Sequence, residues 1–96
     1  MNPTICNYAQ FFDYCIYGNL KEAQKMISDN YFSPTDIDEG IFSYTCYFGQ
    51  ISVLKWIYSL NPQKYSNICA LNKDLIKIVS ISGYPEVVEW MLSILK

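Results

Sequence analysis

Phe42-Ser43-Tyr44-Thr45-Cys46-Tyr47-Phe48-Gly49-Gln50-Ile51-Ser52-Val53-Leu54-Lys55-Trp56-Ile57-Tyr58 decides the fold. Counted from Gly49, large or small apolar groups stand seven and three residues before it, at Phe42 and Cys46, and five and eight after it, at Leu54 and Ile57. Each pair of offsets falls on one face of a helix. The stretch therefore reads as two helices with a glycine between them. Glycine suits that junction because a helix often ends in a left-handed residue, where a Cβ is strained.

The same frame recurs on both sides. Gly18 has Phe11 and Cys15 before it and Ala23 and Met26 after it; Gly83 has Ile76 and Ser80 before it and Val88 and Met91 after it. The glycines are 31 and 34 residues apart, a period typical of repeat architectures. Local signals agree: Asn72 and either Asp36 or Asp38 can cap helices, and Pro85 with Glu86 suits a first helical turn. The pattern predicts helices over about 8–16, 20–28, 38–48, 51–60, 72–81 and 85–95. The connectors at 29–35 and 61–67 carry turn residues and no helical period. The expected fold class is all-α, a single domain over 1–96 built as a solenoid of three helix-turn-helix units, at about 8–30, 38–62 and 72–96.

Small-x-x-Gly-x-Leu-x-x-aliphatic-aliphatic, as in Cys46 through Ile57 and again in Gly83 through Leu92 with Pro85 at the Leu place, resembles the ankyrin repeat. The Lys-Trp-aliphatic run of the second helix is most similar to ankyrin proteins of large DNA viruses and of amoebae. The chain departs from that family where helix one usually opens with Thr-Pro-Leu-His and where a Gly-Ala-Asp-Val-Asn hairpin precedes it. Short or irregular loops are therefore expected in place of β-hairpin fingers, and a generic helical-hairpin repeat is the rival reading.

Composition narrows the function classes. Half the residues are apolar (51%) and only 17% are charged, which excludes a disordered chain. All seven positive charges are Lys, none in a run, so the footprint of a nucleic-acid binder is missing. No run approaches the ~20 apolar residues that span a bilayer, and Met1 through Tyr8 has no signal-peptide pattern. Four unpaired-looking cysteines, at 6, 15, 46 and 69, then read as reduced thiols in a cytoplasmic setting, the host cytoplasm or a virion if the source is viral. Cys15 and Cys46 hold the same inward position and are expected to be buried.

Chemistry is scarce. There is no His, the commonest general base and metal ligand. The cysteine gaps of 9, 31 and 23 residues do not fit a zinc site. Asp36-Ile37-Asp38-Glu39 lacks the glycine and distal Glu of a calcium loop and has a simple explanation at a helix start. Neither a catalytic set nor a cofactor nor a metal is implied, so the expected activity is protein binding without catalysis.

The resemblance implies a concave surface made by the first helices, with variable positions five, two and one before each glycine. These hold Asp13, Ile16 and Tyr17, then Tyr44, Tyr47 and Phe48, then Ile78, Ile81 and Ser82. Five of the six residues at the last two positions are aliphatic or aromatic. Either they fill the interior, as an aromatic stripe at helical spacing commonly does, or Tyr17, Tyr44, Tyr47 and Phe48 form an exposed partner-binding patch. On the second reading Tyr31, Phe32 and Tyr65 in the connectors extend it. The last helix carries more apolar residues than one covered side needs, and Trp90, Ile94 and Leu95 are expected at an oligomer contact. A self-associating or virion-associated structural subunit is thus the alternative to an adaptor that binds another protein.

Overall fold

A computed structural model describes residues 5–95; residues 1–4 and 96 of the expected domain lie outside the described residues. Among the described residues the chain is all-helical, with no strand. Its elements are α1 (Ile5–Ile16), α2 (Leu20–Ser28), a 3-10 turn (Pro34–Asp36), α3 (Glu39–Tyr47), α4 (Ile51–Leu60), α5 (Pro62–Leu71), α6 (Lys73–Ser82) and α7 (Pro85–Ile94).

Three hairpins organise these helices: α1 packs on α2, α3 on α4, and α6 on α7. The first helices of the hairpins lie side by side, α1 against α3 and α3 against α6. Each hairpin turns at a glycine with positive φ, at Gly18 (77°), Gly49 (72°) and Gly83 (86°). At the second turn Gly49 N–H donates to Cys46 O (3.0 Å) and Gln50 N–H to Thr45 O (3.2 Å), so the last carbonyls of α3 are satisfied. Asp38 caps α3 by accepting from Ile41 N–H (2.9 Å), and Asn72 caps α6 by accepting from Leu75 N–H (3.2 Å).

The second connector differs from expectation. Residues 61–67 are not an irregular loop but the start of α5. The turn residues Asn61-Pro62 act as a helix start: Asn61 Oδ1 accepts from Lys64 N–H (3.2 Å), and Pro62 takes a first-turn place where its missing N–H costs no hydrogen bond. Tyr65 and Cys69, four apart, then face the core. The first connector is held by a reciprocal cap: Ser33 N–H donates to Asp36 Oδ2 (3.3 Å), and Thr35 N–H donates to Ser33 Oγ (3.3 Å).

One apolar core runs through all three hairpins, from Phe11, Cys15 and Met26 through Ile41, Phe42 and Leu54 to Leu75, Val87 and Met91. The inward offsets read from the sequence hold at Gly18 and Gly49, with Cys15 and Cys46 fully buried. At the same offsets in the third hairpin only Met91 is buried; Ile76 and Val88 are half-buried and Ser80 is exposed, because the buried face of α6 is Leu75 and Val79, one residue earlier. Aromatic rings bridge the layers. Trp56 of α4 meets Phe11 of α1 (centroids 6.2 Å apart), and Trp90 of α7 meets Phe42 of α3 (6.5 Å) and Tyr58 of α4 (5.6 Å).

Candidate functional site

Four of the seven residues expected at a partner surface come together on the first helices. Tyr17 directly follows α1, while Tyr44 and Phe48 stand one turn apart on one face of α3 and its cap. These three are 41–66% exposed. Tyr17 and Phe48 meet edge to face across the α1–α3 junction (6.5 Å, 85°). Tyr44 makes the same kind of contact with Tyr47 (5.4 Å, 79°) and with Phe12 of α1 (5.5 Å, 62°). Edge-to-face pairing holds such rings in place without burying them. The result is a ridge of rings crossing two hairpins; Ile78, at the matching place to Tyr44 on α6, is exposed as well.

Tyr47 is half-buried, and its phenol pKa is raised, first by burial and then by nearby Tyr44, Cys46 and Glu39. It therefore stays neutral and can both donate and accept a hydrogen bond. Ile16, at the matching place in α1, is buried and belongs to the core. The variable positions thus divide: those one and five before the glycine face outward, and those two before it run from buried Ile16 through half-buried Tyr47 to exposed Ile81.

Three expected site residues lie elsewhere. Phe32 is buried and stacks on Phe11 at 4.3 Å, because the Ser33–Asp36 cap turns the connector back over α1. Tyr65 is wholly buried in α5, stacks on Phe42 at 5.0 Å and donates from its hydroxyl to Ile37 O (3.2 Å). Neither extends a surface. Tyr31 is exposed, but it lines a separate concavity of about 440 Å³ at the first hairpin's outer side, with Gln10, Tyr14, Glu22 and Lys25.

The oligomer-contact residues divide likewise. Trp90 and Ile94 are partly buried and packed on the core, so part of the apolar surplus of the last helix is used between layers; of the three expected contact residues Leu95 is exposed, and Leu92 on the same helix is exposed as well. The acidic cluster is accounted for by local bonding. Asp36 and Asp38 cap helical turns, and Asp38 Oδ2 also accepts from the Tyr8 hydroxyl (2.8 Å). Burial and that bond push the Tyr8 phenol up to about 12.

No group of three His, Cys, Asp or Glu among the described residues could hold a metal ion, and no described helix is long and apolar enough to cross a membrane. The chain matches no family model, no curated protein and no solved structure.

Proposed function

We propose that this chain is a protein-interaction module, a stack of three divergent ankyrin-like helical hairpins that docks another protein on the ring ridge of Tyr17, Tyr44, Tyr47 and Phe48. The observation that carries it is the exposed contact of Tyr17 with Phe48 beside the Tyr44–Tyr47 pair. Large rings left in water are disfavoured by the hydrophobic effect and by core packing alike. Tyr keeps a wet hydroxyl on an apolar body and loses little rotamer freedom on binding, which suits it to interfaces. The stacked reading is supported by the Gly-anchored turns at matched offsets and by the side-by-side first helices.

On this reading the chain performs no reaction of its own. Its chemistry is recognition: ring edges for apolar anchors, Tyr hydroxyls for polar orientation. Replacing both Tyr44 and Tyr47 with Ala is expected to weaken capture of the partner by roughly 30-fold or more, as for residues that anchor an interface. Tyr44 is exposed and Tyr47 half-buried, so the double variant keeps its helical circular dichroism. Affinity capture from the native source, parent beside variant, measures this. Equal recovery of the same protein by both forms contradicts the assignment.

A further inference from the structure

Each internal junction of the stack proposed above uses the same packing device. A Cβ on Gly18 would stand 2.5 Å from Gln50 Oε1, and Gln50 Nε2 donates to Ile16 O (2.9 Å). A Cβ on Gly49 would run into the Tyr84 ring. Each turn glycine is therefore a seat for the residue that follows the glycine of the next hairpin. Gly83 holds the same place in the third hairpin, and nothing lies within 4 Å of its missing Cβ.

Side chains in register with this seat are uncovered too. Three before the glycine, Cys15 and Cys46 are buried but Ser80 is exposed. Two before it, Ile16 is buried and Tyr47 half-buried, but Ile81 is 86% exposed. Five after it, Ala23 and Leu54 are buried and Val88 only half-buried. Nine after it, Ile27 and Tyr58 are half-buried but Leu92 is 48% exposed. The outer side of the third hairpin thus has the register of a covered layer, and no described residue covers it.

The opposite end is built differently. Eight before the glycine, Ile41 and Leu75 are buried where Gln10 is exposed; four after it, Val53 and Val87 are buried where Glu22 is exposed. The first hairpin closes with polar side chains, as the terminal unit of a stack does.

We infer that the third hairpin's outer side pairs with the same side of a second copy about a two-fold axis. Such a contact needs one patch that complements itself, and this one does. On α6, Lys77 sits one turn from Ile81; on α7, Glu89 sits three residues from Leu92, and both pairs are neighbours on a helix surface. An axis running along the hairpin, in the plane of the contact, sets α6 of one copy against α7 of the other. Each Lys77 then meets the second copy's Glu89, while Ile81, Val88, Leu92 and Leu95 are closed between them. The charges fix the orientation and the apolar strip supplies the affinity. A head-to-tail copy would instead press Glu22 and Gln10 onto Val88 and Leu92, which leaves a carboxylate facing an apolar strip.

Sedimentation equilibrium of the full 96-residue chain from about 5 to about 500 µM tests this, since dimer population follows concentration. The mass is expected to rise toward two chains and stop there. Leu92→Lys enters the contact twice and should raise Kd about 100-fold, at about tenfold per copy. Lys77→Glu and Glu89→Lys should each raise Kd about tenfold, and together restore it, because the pair is re-formed with its signs exchanged. All three positions tolerate these changes in the fold because their side chains are in solvent, and thermal melts of dilute chain check that. A mass of one chain at every concentration overturns the inference. So does a dimer whose Kd ignores Leu92→Lys, or growth past two copies, which means head-to-tail stacking. The Tyr44→Ala, Tyr47→Ala form should dimerise like the parent, so failure here and failure of the docking ridge are read separately.

Discussion

Tyr65→Ala is expected to cost about 3–5 kcal/mol of folding stability, the range for truncating a large buried aromatic. The ring is fully enclosed, stacks on Phe42 at 5.0 Å and 24°, and anchors α5 through its hydroxyl on Ile37 O. Domains of this size hold only about 5–10 kcal/mol in reserve, so the loss is about half of the total. Lys64 also donates to Ile37 O, so the carbonyl keeps one partner and the damage is mainly the cavity. Tyr65→Phe keeps the ring and loses one hydrogen bond, at about 1 kcal/mol, or roughly 4–8 °C in Tm. Urea melts read both values as shifts in midpoint at constant slope. If 61–67 were a surface loop, Tyr65→Ala would fall within about 0.5 kcal/mol of the parent.

Alkaline pH should unfold the chain well before acid chemistry matters at these sites. Burial pushes the Cys15 thiol up to about 12 from 9.0, Cys69 up to about 11 and the Tyr65 phenol up to about 12 from 10.0. Cys46 is raised as well, by burial first and then by the neighbouring Cys69. In each case the folded chain keeps a proton that the unfolded chain releases. Stability is therefore fully present below pH 9 and falls as pH climbs from the unfolded pKa toward the folded one. Each group removes about 1.4 kcal/mol per pH unit in its window, so Cys15 and Cys69 together remove about 5 kcal/mol by pH 11. Urea midpoints at pH 7, 9, 10 and 11 should be flat over the first step and then drop with growing slope, to unfolding without denaturant near about pH 11. A stability unchanged from pH 7 to 11 would place these thiols in water.

The hairpins were legible because one-face apolar spacing and a glycine at the turn agreed at each, with a capping residue added at the second and third. Phe11 and Cys15, Phe42 and Cys46, Ala23 and Leu54 all lie where the one-face spacing puts them, whereas on α6 the buried pair is Leu75 and Val79 and not the expected Ile76 and Ser80. α5 was missed because Asn61-Pro62 reads equally as a turn and as a helix start, and the choice depends on whether Tyr65 and Cys69 find a core to enter. They do, since α5 packs against both α4 and α6. Phe32 was misjudged for a related reason. A ring in a connector faces solvent or core according to the backbone turn beside it, here the Ser33–Asp36 cap. Trp90 shows the converse: it read as surplus on α7 because the sequence does not reveal that Phe42 and Tyr58 meet it from two other helices. The outward set was legible only as a pair of alternatives, and exposure divides it, with Tyr17, Tyr44 and Phe48 outside and Ile16 within.

Docking on the ring ridge is tested most directly by site-specific photo-cross-linking. A benzophenone side chain placed at Tyr44, irradiated in the native source, should yield one discrete heterologous adduct. Tyr17→Ala with Phe48→Ala should abolish that adduct, while the same probe at exposed Lys55, on α4, should give none. Equal labelling from position 55, or an adduct that persists without Tyr17 and Phe48, would contradict the assignment of this ridge as the binding surface.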